Sequence, residues 1–276
     1  MIDCYAAPSE RQELARRFGD LVAQAGALAM DVLARPRIAS RLKNDSSPVT
    51  EADQRVEDHL LAALARDMPG LPVVAEEQAA RGETTAHGRV FLLIDPIDGT
   101  REFLARSPEF TINVALIADG APIVGAIAAP AQGRVWFAGV DGFVAEAPPG
   151  GRLPAPQDWR PLRTRKAPAG GLAALVSKSH LDPETLAFVA RLPVAARLSV
   201  GSSLKFCAIA EGVADVYPRF GPTMEWDTAA GDAILRAAGG VTLAASGAPL
   251  LYDKSAANYR NGPFVAWGDP AAASLY

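Results

Sequence analysis

The stretch "FLLIDPIDGTREF" occupies residues 91–103, and the reading of its two acids decides what must surround them. Four apolar residues run into Asp95, Pro96 intervenes, and Asp98 follows three places on, ahead of Gly99 and Thr100. Side chains two apart on a strand share a face and those three apart do not, so Asp95 and Asp98 converge only if the chain turns after Asp95. Pro96 fixes its own φ and disfavours helix at Asp95, while Gly99 permits conformations that other residues resist. A buried strand ending at Asp95 and a tight loop after it are therefore predicted. Carboxylates crowded there repel and raise at least one pKa unless cations sit between them. Two readings stand: a polar loop with both acids in water, or a metal site.

Acidic oxygen ligands without a Cys or His cluster suit a hard cation, and Mg2+ is the expected one. The two cysteines, Cys4 and Cys207, make neither a disulfide framework nor a zinc site and are expected to be free thiols. Of the three histidines, His59 on a charged helical segment and His87 in a Gly-rich turn are expected to be solvated, and His180 is undecided. One loop supplies too few ligands. Glu76 and Glu77 end the apolar run "VVAEE", and Asp227 opens the helical "WDTAAGDAIL". Taken singly, the glutamates read equally well as a surface pair and Asp227 as a helix cap. Ala229, Ala230 and Gly231 would let that helix N-terminus approach an anionic centre closely. Asp53 lies three residues after Thr50 in "TEAD", the spacing of a capping box.

Outward from these acids, Leu14, Phe18, Leu21, Val22, Ala25, Leu28, Ala29 and Val32 recur at helical spacing over 9–33. A second helix begins at "TEADQRVEDHLLAALARDM", with Val56, Leu60, Leu61 and Leu64 on one face and Pro69-Gly70 ending it. The intervening "KNDSSPVT" reads as a polar turn. Short runs rich in Val and Ile, separated by "DG", "GAP" and "QG", then predict a largely antiparallel sheet up to about residue 146. Residues 147–171 are dense in Pro and Gly and form the best boundary, giving halves 1–160 and 161–276. The second half alternates strands ("LAALVS", "ADVYP", "GPFVAW") with helices at 182–192, 202–211 and 227–238, an α/β pattern.

Net charge is −4 over 276 residues, which gives no general attraction to nucleic acid or anionic lipid, so a small-molecule substrate is expected. No apolar stretch is long enough to cross a bilayer of ~30 Å. The charged start "MIDCYAAPSERQELARRF" points to the cytoplasm, with peripheral contact at the inner membrane left open.

Lys43, "SPVTEAD" (47–53), "EE" (76–77), "DPIDGT" (95–100) and "WDTAAG" (226–231) resemble, in order and spacing, the lithium-sensitive, magnesium-dependent phosphatases that include inositol monophosphatase and fructose bisphosphatase. "SKSH" (177–180), "GSSLKFCAIAEG" (201–212) and "YPRFGPTMEWDTAAG" (217–231) are similar to the bacterial 3′(2′),5′-bisphosphate nucleotidase branch of that superfamily. The resemblance implies an α/β (α+β) fold, a layered αβαβα sandwich, acting as a monomer or homodimer. It implies one Mg2+ held by Glu76, Asp95 and the Ile97 carbonyl, a second held by Asp95, Asp98 and Asp227, and room for a third near Glu76 and Asp53. Asp53 and Thr100, with Glu76, would activate water, and the backbone at Gly99 and Thr100 would grip the phosphate. His180, Ser202, Lys205, Arg219 and Asp227 would face the substrate, 3′-phosphoadenosine 5′-phosphate, which gives AMP and phosphate. Inositol or sugar phosphates are the alternative substrates. Ala75 departs from the Ser or Gly that commonly precedes the glutamate pair in relatives. A haloacid-dehalogenase-type phosphatase, whose Asp-x-Asp-Gly-Thr puts its acids two apart on one strand face, fits the spacing here less well.

Overall fold

The computed structural model describes residues 7–43, 47–83, 86–179 and 181–275. Helix α1 (Pro8–Leu33) buries Leu14, Phe18, Val22, Ala25, Ala29 and Val32, as its periodicity predicts. A short hairpin, β1 (Ser40–Leu42) with β2 (Pro48–Thr50), replaces part of the expected turn and leads into α2 (Glu51–Asp67). Strands β3 (Val73–Ala75), β4 (Val90–Asp98), β5 (Thr111–Ala118), β6 (Ala121–Ala129), β7 (Arg134–Ala138), β8 (Gly142–Glu146) and β9 (Arg160–Pro161) form one sheet in that order. Two helices of five residues each, α3 (Glu76–Ala80) and α4 (Thr100–Leu104), follow β3 and β4 directly. Only the β3–β4 pair is parallel; the rest of the sheet is antiparallel, as the turn-separated runs predict.

The later chain holds β10 (Leu172–Ser177), α5 (Pro183–Val189), β11 (Val194–Val200), α6 (Leu204–Ala210), β12 (Val216–Arg219), α7 (Glu225–Ala237), β13 (Val241–Ala244), β14 (Phe264–Trp267) and α8 (Pro270–Ala273). Its five strands run β11-β10-β12-β14-β13 across the second sheet. The sequence reading did not single out β11 or β13. The reason is visible for β11: its "VAARLSV" is solvent-facing along most of its length and lacks the apolar alternation of a half-buried strand.

Three apolar cores separate the layers. Helices α1 and α2 pack on one face of the first sheet through Phe18, Val56, Leu60, Leu92, Ile112 and Phe137. Between the sheets, α6 and α7 contribute Phe206, Ile209, Trp226 and Ile234 against Phe91, Trp136, Tyr217 and Phe264. On the far face of the second sheet, Leu172, Val176 and Val265 meet Val189 of α5 and Ala272 of α8. The order is αβαβα.

Where Asp95 was expected to end a strand, β4 continues to Asp98 through a bulge. Asp95 opposes Asn113 and Asp98 opposes Thr111, so three steps on β4 match two on β5. The extra residue resets the alternation of faces, which puts two acids three apart on the same side. A bulge does the work assigned to a turn because antiparallel pairing with β5 keeps the backbone groups of this buried segment satisfied.

The small residues of α7 also serve its packing. A Cβ at Gly231 would lie 2.5 Å from the Phe206 ring, and one at Gly125 of β6 would lie 2.5 Å from the Ala230 carbonyl. They let α7 seat tightly between β6 and α6, which indirectly fixes where its N-terminal Asp227 stands.

Candidate active site

Four elements deliver the five acids. Asp53 lies in the first turn of α2, Glu76 at the start of α3, Asp95 and Asp98 on bulged β4, and Asp227 in the first turn of α7. Thr50 and Asp53 form the predicted capping box: the Asp53 Oδ2 accepts from the Thr50 N–H at 2.8 Å and from the Thr50 hydroxyl at 2.7 Å. This leaves Oδ1, which faces the Thr100 hydroxyl at 3.3 Å; the same hydroxyl is 3.2 Å from the Ile97 carbonyl. Gly99 takes φ +89°, with the Glu109 carbonyl 3.3 Å from where a Cβ would sit, so the turn into α4 is both left-handed and tight. Asp227 accepts from the Met224 N–H at 2.8 Å, the cap anticipated as its structural alternative.

A cavity of about 760 Å3 opens over this floor. Glu76, Asp95, Ile97, Asp98, Gly99, Thr100 and Asp227 are among the residues that line it. Ser202, Lys205 and Arg219 line it too, joined by Tyr217, Arg101, Thr223, Met224 and Arg260. Asp53 is fully buried beneath, in contact with Thr100. The predicted His180 lies outside the described residues.

Electrostatically the floor is overcrowded with negative charge. Burial, then the neighbouring Glu76, Asp98 and Asp227 carboxylates, pushes Asp95 well above the usual carboxylate range. Asp227 is pushed well up by burial and by Asp98 and Glu76. Burial also raises Asp98, with Lys205 opposing. Asp53 is pushed up to about 6, chiefly by burial. Among the described residues no three of these groups are closed into a coordination shell. Instead Glu76 is held by Lys43, whose Nζ lies 2.6 Å from Glu76 and 2.5 Å from Glu77. The donor set nevertheless fits a hard cation: carboxylates from three segments and the Ile97 carbonyl share one cavity, with Asp53 buried beneath, and the acids repel one another.

Lys205 and Arg219 are not the solvated surface charges that isolated reading allows; both are almost fully buried. The Lys205 Nζ donates to the carbonyls of Ser202 at 2.6 Å and Val200 at 3.2 Å, and it lies 5.2 Å from the centre of the Tyr217 ring. Burial lowers its pKa to about 8. Ser202 holds φ +47°, a left-handed value that turns its carbonyl toward Lys205. Arg219 Nη2 donates to the Pro222 carbonyl at 2.9 Å.

Some site residues escaped the sequence reading. Glu57 is fully buried and accepts from the Glu77 N–H at 2.7 Å, fixing the glutamate pair. Its place four residues after Asp53 on one helix face was the available signal. Tyr217 opens the quoted "YPRF" motif but was given no role, and Arg101 and Arg260 carried no signal, because only the fold brings them to the cavity. His87 was expected to be solvated, but its side chain is buried and stacks on Phe91 at 3.9 Å, with Nε2 3.0 Å from the Tyr259 hydroxyl. The turn that carries it is folded back over the start of β4. His59 is half-buried rather than solvated, since α2 packs that side of its helix inward. Cys207 is a buried free thiol, as expected, and Cys4 lies outside the described residues.

The model of the inositol monophosphatase family matches residues 10–269. The chain belongs to the inositol monophosphatase family. It is 39% identical to the "3′(2′),5′-bisphosphate nucleotidase CysQ" of Escherichia coli O157:H7 over 87% of this chain and 91% of that protein. It is 40% identical to the protein of the same name from Salmonella typhimurium, over 82% of this chain and 86% of that one. The crystal structure of CysQ from Bacteroides thetaiotaomicron, described as a bacterial member of the inositol monophosphatase family, superposes with a TM-score of 0.75 at 34% identity. The alignment covers 93% of this chain and 96% of that one. Inositol monophosphatase family members are metal-dependent phosphatases, which agrees with the acidic floor described above. Among the described residues no helix is long and apolar enough to cross a membrane.

Because the carboxylates repel, a cation should stabilise the folded state measurably. Chelator-treated protein is expected to melt lower than protein with saturating Mg2+. At a hundredfold excess over Kd the gain is about 2.7 kcal/mol. That corresponds to roughly 5–10 °C for a chain of this size. Thermal melts with EDTA and with graded Mg2+ check it; superimposed curves would remove the cation from this cavity.

Proposed function

We propose that the chain is a Mg2+-dependent phosphatase that hydrolyses the 3′-phosphate of 3′-phosphoadenosine 5′-phosphate, releasing AMP and phosphate. The observation that carries this reading is the presence of two buried cations, Lys205 and Arg219, in the wall of the cavity whose floor is acidic. The names of the CysQ relatives support the same substrate. A substrate that carries a second anionic group besides the reacting phosphate gives these buried cations a partner.

In this reading Glu76, Asp95 and the Ile97 carbonyl would hold one Mg2+, Asp95, Asp98 and Asp227 would hold a second, and Glu76 and Asp53 would hold a third. When bound, these ions supply charge neutralisation at the phosphoryl oxygens and acidify water. The chain's own groups do the positioning. Thr100 and Asp53 accept the hydrogen bonds of the attacking water and align it on phosphorus, and the Asp53 carboxylate takes up its proton. As the new P–O bond forms, the P–O3′ bond breaks, and the 3′ oxygen leaves with a proton from solvent. Backbone N–H groups at Gly99 and Thr100 hold the phosphate. Ser202, Lys205 and Arg219 orient the nucleotide through its 5′-phosphate; the resemblance alone gives His180, outside the described residues, a part in the same task. The division at residue 160 is kept as part of this reading, the first half bringing most metal ligands and the second bringing Asp227 and the substrate cations.

Phosphate release with Mg2+ from 3′-phosphoadenosine 5′-phosphate, inositol 1-phosphate and fructose 1,6-bisphosphate, compared as kcat/KM, tests the proposal. A clear preference for the nucleotide is expected. A preference for inositol 1-phosphate or the sugar phosphate would leave the acidic floor in place and withdraw the nucleotide.

A further inference from the structure

The segment 253–261 is held in place more firmly than a surface connection requires. Asp253, Asn258 and Tyr259 all take left-handed backbone angles, φ +84°, +51° and +60°. For a ring-bearing residue such as Tyr259 this conformation is costly, and it persists only where the surroundings over-determine it. The surroundings here are specific. Fully buried Glu225 accepts from the N–H groups of Asp253 at 3.1 Å and Lys254 at 3.0 Å and pairs with the Lys254 ammonium at 3.0 Å. The Asn261 amide donates to the Met224 carbonyl at 2.8 Å and the Thr228 hydroxyl at 3.0 Å, and the Tyr259 hydroxyl meets His87. Backbone bonds from Glu225 N–H to the Tyr259 carbonyl and from Asn261 N–H to the Thr223 carbonyl place Arg260 opposite Met224. Met224 is the residue whose N–H the Asp227 carboxylate accepts.

The result is that Arg260 stands at the cavity beside the cap of the Asp227 helix. Its side chain is exposed, and among the described residues no carboxylate pairs with it. A guanidinium is a planar donor fork suited to phosphate. We propose that Arg260 is a specificity-determining residue that contacts the anionic group of the substrate beyond the reacting phosphate, on the rim of the cavity. This rests on the nucleotide reading above, and goes beyond it by adding a cation from a segment that none of the sequence motifs includes. Lys205 and Arg219 hold that group from the buried wall, and Arg260 meets it from the solvent side.

The test compares wild type, Arg260→Ala and Arg260→Lys on 3′-phosphoadenosine 5′-phosphate and on p-nitrophenyl phosphate, which carries one phosphate and no second anion. Arg260→Ala should raise KM for the nucleotide about tenfold, the loss of one solvent-accessible charge-assisted contact. Its kcat should stay near wild type, p-nitrophenyl phosphate turnover should be unchanged, and Arg260→Lys should recover part of the affinity. An unchanged nucleotide KM overturns the inference. So does an equal loss on both substrates with a lower melting temperature, because Arg260 would then only support its segment. If wild type itself prefers inositol 1-phosphate to the nucleotide, it is the nucleotide reading that has failed, and Arg260 loses its ligand with it.

Discussion

Asp95→Asn is expected to lower kcat by about 10³-fold, the several kcal/mol that a lost metal position contributes to transition-state charge. Asp95 is the acid shared by both proposed metal positions, so no other single substitution should cost more. The amide keeps the shape of the side chain and the hydrogen bond that Oδ1 accepts from the Ile97 N–H at 3.0 Å. It also removes one of several repelling buried charges, so the metal-free variant should melt higher than metal-free wild type at neutral pH, by about 2–4 °C for each kcal/mol relieved. Steady-state kinetics with Mg2+ and melts in EDTA read the two effects separately. A variant that kept most of its turnover would show that Asp95 is structural; one that lost turnover together with metal-free stability would show that the fold, not the ion, needed it.

Arg219→Met is the second large effect. Methionine fills much of the buried volume and removes the charge. The kcat/KM for 3′-phosphoadenosine 5′-phosphate should fall by about 10- to 100-fold, the cost of one buried charge-assisted contact. Inositol 1-phosphate turnover should change little, because the acidic floor is untouched. The structure adds a control: Arg219 Nη2 also donates to the Pro222 carbonyl, so a melt must accompany the kinetics. Equal falls on both substrates would mean that Arg219 supports the segment leading to Asp227 and does not read the nucleotide.

The two variants divide the cavity by charge. One probes the floor, where four segments bring acids together against their mutual repulsion. The other probes the wall, where burial keeps cations out of water and so strengthens any interaction they make with an anionic group. That a single cavity holds both is the physical basis for expecting a substrate with more than one anionic group.

Much of the acidic floor was legible before folding. The bulk of β4, the capping box of Thr50 and Asp53, and the helix opened by Glu225 to Asp227 are local patterns, written in residue spacing that backbone geometry translates directly. Tertiary structure decided what spacing could not. Asp95 and Asp98 converge by a bulge rather than a turn, because β5 is there to pair with the continuing strand. Lys205 and Arg219 are buried because two sheets close over α6 and β12, and a charge pattern in sequence does not reveal which side of a helix a second sheet will cover. His87 is held under Tyr259, 172 residues further along the chain, and Arg260 is set at the cavity by its pairing with Met224 on a separate segment. Local chemistry fixed which groups could bind a cation. Only long-range packing, which sets burial and brings distant loops to one cavity, decided which groups surround them.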